Sequence, residues 1–173
     1  SNVPVPKAIH LCTDNEIIGS QFFIMSFVSG DIFWNAAIAT LDERPCFGES
    51  PNSKRAKIYD QMNLALVSLH SLNPEDVGLA DFGRPGNYFA RQLDRWTKQY
   101  VAAKTEENHN ADFLIKWLGE NLPDDDGLIS IVHGDFRLDN MIFSHDSQNL
   151  CAILDWELST LGHPYADLAY QCM

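Results

Sequence analysis

Three short apolar runs between residues 128 and 155 constrain the fold of this chain more than any other feature. The first run, residues 128–132, is apolar and partly β-branched, which predicts a buried strand. The second and third runs, residues 141–143 and 150–154, are separated by the turn-rich segment 144–149. Such a pattern predicts an antiparallel hairpin that follows the first strand.

Three oxygen-bearing side chains stand where these predicted strands begin and end. Asp135 follows the first strand, Asn140 enters the hairpin and Asp155 leaves it. Antiparallel partners lie about 4.8 Å apart, so Asn140 and Asp155 should face the same small volume. An amide carbonyl and a carboxylate are hard donors that suit Mg²⁺ rather than zinc. We therefore predict Asn140 and Asp155 as metal ligands, with Asp135 placed to accept the proton of an attacking hydroxyl.

The motif His-Gly-Asp-x-x-x-x-Asn at residues 133–140 resembles the catalytic loop of the aminoglycoside phosphotransferase and choline kinase superfamily, whose members are relatives of protein kinases. Residues 156–169 resemble, more narrowly, the branch associated with acyl-CoA dehydrogenases. The resemblance implies an α+β, protein-kinase-like fold, mostly the helical C-terminal lobe with a remnant of the N-terminal lobe sheet and hinge. It implies Asp135 as the catalytic residue, ATP and Mg²⁺ as cofactors, and a small molecule with a hydroxyl group as the substrate.

Residues 22–30 predict a buried strand that runs into a loop. An ordinary core strand would explain this segment, but the resemblance implies that it is the interlobe hinge. The hinge would bind adenine through the carbonyl of Ser26 and the amide of Val28, with Met25 packed beside the base.

The resemblance also predicts the domain organisation. Residues 1–30 would be a remnant of the N-terminal lobe and hinge, and residues 31–173 the C-terminal lobe, truncated at its end. The residues before the hinge contain no glycine-rich phosphate loop. We therefore expect an incomplete piece of a larger enzyme that is a poor catalyst alone.

Four residues are expected to support the site. His133 and Asp167 would orient the catalytic loop, as the resemblance implies, without joining the chemistry. Arg137 could steady a phosphate or an acidic acceptor, or form an ion pair with Asp139 or another acid. Glu157 stands where protein kinases carry glycine, and either a second metal contact or a structural hydrogen bond could explain it.

Apolar residues at helical spacing predict helices over residues 54–72, 88–104 and 110–121, and a last helix that starts near residue 165. Ser53 is predicted to cap the first helix. His70 is expected to be a packing residue near its end. Helical spacing also predicts that the aromatic residues of these helices belong to the core. They are Phe89, Trp96, Tyr100, Phe113 and Trp117.

Composition excludes several classes of protein. A net charge of −12 argues against a nucleic-acid-binding surface, and no apolar run is long enough for a membrane span. The four cysteines form no CxxC pair, so we expect reduced thiols and a cytoplasmic location. The ligand motifs of metallophosphatases and zinc hydrolases do not occur. Oligomeric state cannot be predicted from the sequence.

Two functions of different class fit these observations. The first is an ATP- and Mg²⁺-dependent phosphotransferase acting on a small-molecule hydroxyl. The resembled branch points to a hydroxyacyl-CoA as acceptor, with aminoglycosides, amino alcohols and sugars left open. The second is a catalytically silent kinase-like module that binds nucleotide or a partner. The presence of Asp135, Asn140 and Asp155 favours the first function.

Overall fold

The computed structural model describes residues 3–36, 38, 54–147 and 149–172. Within these ranges the chain forms a hairpin, three helices, a set of short strands and a final helix. The strands are β1 (Ala8–Cys12), β2 (Phe22–Met25), β3 (Ser130–Val132), β4 (Met141–Phe143), β5 (Leu150–Ile153) and β6 (Thr160–Gly162). The helices are α1 (Lys54–His70), α2 (Tyr88–Ala103), α3 (His109–Glu120) and α4 (Tyr165–Gln171), with 3₁₀ turns at Leu138–Asn140 and Trp156–Leu158.

The strands of the described segments pair antiparallel, β1 with β2, β3 with β6, and β4 with β5. In the last pair Met141 lies opposite Ile153, which confirms the predicted hairpin. In the second pair Ser130 lies opposite Gly162. The chain therefore returns after the hairpin to lie beside the strand that precedes the catalytic loop, which fixes both ends of this loop and hairpin.

Helix α1 supplies the inner face of the core, and it packs against β3 and β5. Its buried apolar residues recur every three or four positions, the spacing of one helical face. They are Ile58, Met62, Ala65, Leu66 and Leu69, as predicted. Phe136, Met141, Phe143 and Ile153 are fully buried against this face. The predicted N-cap, Ser53, lies outside the described residues.

Helices α2 and α3 form where the sequence predicts them, but neither has a buried residue. Trp96 is 52% exposed and Phe113 is 68% exposed, and Trp117 is also exposed. The prediction that these three residues are core is therefore wrong, while Phe89 and Tyr100 are half-buried. Periodicity identifies an apolar helix face, but it does not identify what covers that face.

The predicted hinge strand forms as β2, but it is not buried as expected. Phe23, Ile24 and Met25 are exposed. In the described chain β2 pairs with β1 alone, and no described helix packs extensively on this two-stranded ladder. A strand in a bare hairpin keeps its side chains accessible whatever their hydrophobicity.

Cys12, Cys151 and Cys172 are free thiols, whereas Cys46 lies outside the described segments. None of the helices that the structure describes has both the length and the apolar character needed to cross a membrane.

Candidate functional site

The predicted catalytic loop, between β3 and β4, is held by its own buried residues. Phe136 is fully buried and Leu138 nearly so, and both belong to the core beneath the loop. Loops fixed to a rigid scaffold in this way commonly carry functional groups. The polar residues beside these anchors therefore have a defined position.

A buried carboxylate binds the backbone of the loop. Asp167, on α4, is fully buried and accepts hydrogen bonds from the amides of His133 and Gly134, each at 2.8 Å. Its Oδ2 atom also lies 2.9 Å from Nε2 of His70, at the end of α1. This contact corrects the expectation for His70, which does more than pack. A histidine in the last turn of a helix can have several roles, so the sequence spacing gave no signal for the contact with Asp167.

The imidazole of His133 connects the loop to the end of the hairpin. The ring is fully buried, and Nε2 lies 2.8 Å from the carbonyl oxygen of Leu154. The amide of Asp135 donates to Nδ1 at 3.2 Å. This network assigns the ring hydrogen to Nε2 and uses Nδ1 as an acceptor. Both ring nitrogens of His133 thus form hydrogen bonds with backbone groups.

Gly134 allows the loop to pass close to the 3₁₀ turn that follows β5. Its φ angle is +84°, and a Cβ atom there would lie 2.6 Å from the carbonyl oxygen of Leu158. Only glycine adopts this backbone conformation without steric cost and leaves room for that oxygen.

Gly134→Ala should destabilise the protein more than Gly127→Ala. Gly127 has a similar φ of +77°, but no atom lies within 4 Å of a Cβ built there. Both variants carry the left-handed backbone penalty, and only the first adds the collision with Leu158. We expect Gly134→Ala to lose at least about 1 kcal/mol more in urea unfolding. Equal losses would contradict the close approach.

Three donors surround the carboxylate of Asp135, whose side chain is 17% exposed. Oδ2 accepts from Nδ2 of Asn140 at 2.9 Å, and Oδ1 lies 3.0 Å from Nε of Arg137. The hydroxyl of Tyr170 makes the third hydrogen bond. Burial first, and then this hydrogen bond with Asp135, raises the pKa of Tyr170 above its ordinary value. The phenol therefore stays a neutral donor near neutral pH.

Of the two interpretations of Arg137, the structure shows the ion pair. Its guanidinium bridges Asp135 and Asp139, with Nη2 lying 3.3 Å from Oδ2 of Asp139. The fork of an arginine suits two carboxylates at once. The loop thus orients its own central carboxylate.

The backbones of Asn140 and Asp155 lie side by side at the open end of the hairpin. The amide of Leu154 donates to the carbonyl oxygen of Asn140 at 2.8 Å, and Asp155 is the next residue. Nδ2 of Asn140 donates to both the backbone and the side chain of Asp135, which leaves Oδ1 as the uncommitted atom. The Asp155 carboxylate is exposed and makes no hydrogen bond within the described chain. Two hard oxygen donors are therefore available, a set that fits Mg²⁺.

A cleft of about 700 Å³ lies between the β1–β2 hairpin and this site, and it is lined mainly by apolar side chains. Met25, Asp155 and Glu157 are all among its lining residues. Ser26 and Val28 are half-buried and are not lining residues. The carbonyl of Ser26 and the amide of Val28 have no hydrogen-bond partner among the described residues.

Glu157 is exposed, and its side chain has no hydrogen bond in the part of the chain that is described. The structural hydrogen bond considered for it is therefore not observed. Sequence reasoning also missed Tyr170 beside Asp135. A signal was present, because Tyr170 follows Asp167 by three residues and shares its helix face.

Comparison with known proteins identifies relatives of the chain. The family model described as "Phosphotransferase enzyme family" matches residues 1–173. The chain is 42% identical over 173 residues to acyl-CoA dehydrogenase family member 10 of Mus musculus, covering 100% of the chain and 15% of that protein. It is 42% identical over 167 residues to acyl-CoA dehydrogenase family member 11 of Homo sapiens, covering 96% and 20%. The chain thus spans about a fifth or less of these relatives.

Solved structures show the same fold. A protein from Ralstonia eutropha JMP134, assigned as an aminoglycoside phosphotransferase, superposes with a TM-score of 0.84 at 46% identity, covering 100% of this chain and 50% of that one. Aminoglycoside phosphotransferase APH(3'')-Id from Streptomyces rimosus, in complex with ADP and streptomycin, gives 0.63 at 18% identity, covering 98% and 60%. The predicted α+β, kinase-like fold is confirmed.

Proposed function

Because the chain belongs to the phosphotransferase enzyme family, we propose that it carries the catalytic loop and metal site of an ATP- and Mg²⁺-dependent small-molecule kinase. The convergence of Asp135, Asn140 and Asp155 at one end of the hairpin, beside an apolar cleft, carries this proposal. A hydroxyacyl-CoA is the proposed acceptor class, since relatives are named acyl-CoA dehydrogenase family members. Aminoglycosides and amino alcohols are the alternatives to test.

The apolar cleft is the proposed site of the adenine ring. Met25 offers an apolar contact in the cleft lining. Ser26 and Val28 follow Met25 just outside this lining, and their free carbonyl and amide would bond the edge of the purine. A mostly apolar pocket with a few directed polar groups is the usual form of a nucleotide site. Asp155 also lines the cleft, so a nucleotide bound there could direct its phosphates toward the proposed metal ligands.

Asn140 and Asp155 would hold Mg²⁺ through Oδ1 and a carboxylate oxygen. The bound ion neutralises phosphate charge during transfer. Asn140 serves both halves of the site, because its Nδ2 fixes Asp135 while its Oδ1 stays available. The Asn140 side chain would therefore fix the position of the proton acceptor, Asp135, relative to the metal site.

Asp135 would accept the proton of the acceptor hydroxyl. A carboxylate has about four lone-pair positions, and the three donors around Asp135 leave one of them open. Arg137 and Asn140 hold the carboxylate in one rotamer, so no reorganisation is needed when the hydroxyl arrives.

Asp155→Asn is the variant that tests the metal site. Asp155 has a left-handed backbone with φ 63°, which asparagine tolerates and alanine does not, so this substitution removes charge without added strain. We expect the Mg²⁺ concentration for half-maximal ATP-dependent activity to rise about tenfold to a hundredfold. The assay uses the full-length protein with hydroxyacyl-CoA, aminoglycoside and amino alcohol acceptors.

The exposed residue Asp76 provides a control with the same change of charge. Asp76→Asn should leave the Mg²⁺ requirement unchanged. A wild-type protein that binds no nucleotide, with or without Mg²⁺, would overturn the proposed function. An unaltered Mg²⁺ requirement in Asp155→Asn would remove Asp155 from the metal site.

A further inference from the structure

Three arginines line one cavity on the surface of this acidic protein. Arg84, Arg91 and Arg95 border a space of about 520 Å³ that also touches Glu157 and Asp94. The whole chain carries a net charge of −12, so a local excess of guanidinium groups is unexpected. Arg91 and Arg95 are four residues apart on α2 and therefore lie on one helix face.

The three guanidinium groups of this arginine cluster outnumber the two carboxylates, those of Asp94 and Glu157, that border the same space. None of its three members has an ion pair within the described segments, and Arg91 uses Nη2 to donate to the carbonyl oxygen of Arg84. Asp94 is committed to Lys98 at 2.7 Å. The next acid, Asp125, accepts hydrogen bonds from the backbone amides of Asn87 and Gly127. These two hydrogen bonds are the main cause of its lowered pKa, and the charge of Arg91 makes the smallest contribution.

A second cavity connects the arginine cluster to the catalytic loop. This space, of about 300 Å³, shares Gln92, Arg95 and Leu158 with the first one. Its lining also includes Gly134 and Tyr170, the neighbours of Asp135. Three aromatic rings contribute to the same lining, those of Tyr88, Phe89 and Trp96. One cavity thus brings together the neighbours of Asp135, an apolar surface and a member of the arginine cluster, Arg95.

We propose that the arginine cluster is an anion-binding subsite for the acceptor. The acceptor would place its hydroxyl at Asp135, pass an apolar segment along the aromatic wall, and bind a phosphate or carboxylate group at Arg84, Arg91 and Arg95. Guanidinium forks bind both groups through paired hydrogen bonds. The same charges repel polycationic acceptors such as aminoglycosides. This inference rests on the proposed function, and it selects anionic acceptors as the acceptor class.

The double variant R91Q/R95Q of the full-length protein tests the subsite. Two matched pairs of acceptors separate a phosphate from a carboxylate as the bound group. For phosphate, a hydroxyacyl-CoA is compared with the same hydroxyacyl group on unphosphorylated pantetheine. For carboxylate, a hydroxy fatty acid is compared with its amide. We expect R91Q/R95Q to raise KM for the preferred anionic acceptor by at least about tenfold with kcat unchanged. KM for its neutral partner should not change.

Two further variants provide controls. K104Q/K116Q removes two positive charges outside the cavity, as many as R91Q/R95Q removes, and should leave every KM unchanged. R91K/R95K keeps the charges but loses the paired geometry, so it should fall between the wild type and R91Q/R95Q. Equal KM increases for anionic and neutral acceptors, or none for either, would overturn the subsite.

Direct binding separates a failure of the subsite from a failure of the proposed function. Pyrophosphate is titrated by calorimetry in EDTA without nucleotide, so neither Mg²⁺ nor turnover is involved. Tighter binding to the wild type than to R91Q/R95Q supports the subsite, and equal or absent binding overturns it. MgATP titration of the wild type tests the proposed function independently.

Discussion

Asp135→Asn is expected to lower kcat for phosphoryl transfer by about 10²–10⁴-fold, with MgATP affinity within about twofold of the wild type. The substitution keeps the shape of the side chain but removes the proton acceptor. It also replaces one carboxylate oxygen, which accepts a hydrogen bond from Arg137 or Asn140, with an amide nitrogen that cannot accept one. Steady-state kinetics and nucleotide titration on the same sample separate these effects.

Asp139→Asn is the matched control for that experiment. The Asp139 side chain also pairs with Arg137, but within the described chain it forms no hydrogen bond with the Asn140 side chain. If general-base chemistry rather than Arg137 orientation is essential, Asp139→Asn should retain most of the activity. Comparable losses in both variants would assign the effect to the ion pair and contradict the role of Asp135 as base.

Local patterns predicted the catalytic hairpin well, because its determinants are local. The strand pair follows from two apolar runs and one turn, and the pairing of Met141 with Ile153 fixes where Asn140 and Asp155 meet. Helix α1 was equally predictable, since one apolar stripe at helical spacing matched its buried residues. The kinase-like fold, by contrast, came from resemblance in the motif rather than from periodicity.

Long-range partners were not predictable from the sequence. The contact between His70 and Asp167 joins residues 97 positions apart, and no local spacing encodes it. The exposure of Trp96 and Phe113 depends on what lies opposite their helices, which a helical pattern does not specify. The arginine cluster was missed for a similar reason, because Arg84 precedes α2 and joins Arg91 and Arg95 only in three dimensions.

Asp167 links these distant parts, so its loss should have a large effect on stability as well as on activity. Asp167→Ala would leave the amides of His133 and Gly134 and the ring of His70 without their buried acceptor. Each orphaned donor costs about 1–3 kcal/mol. With three donors orphaned, we expect the free energy of unfolding in urea to fall by at least about 3 kcal/mol.

Activity should fall with stability in the Asp167 variants, because the same amides position the catalytic carboxylate. A displacement of about 1 Å can cost about a hundredfold in rate, so Asp167→Asn, which keeps one carbonyl acceptor, should fold yet lose kcat. The exposed Asp76→Ala should leave both the unfolding curve and kcat unchanged. A double-mutant cycle of Asp167→Asn with His70→Gln measures the coupling between α4 and α1. Wild-type stability and kcat in Asp167→Asn would show that the loop holds its shape without this carboxylate.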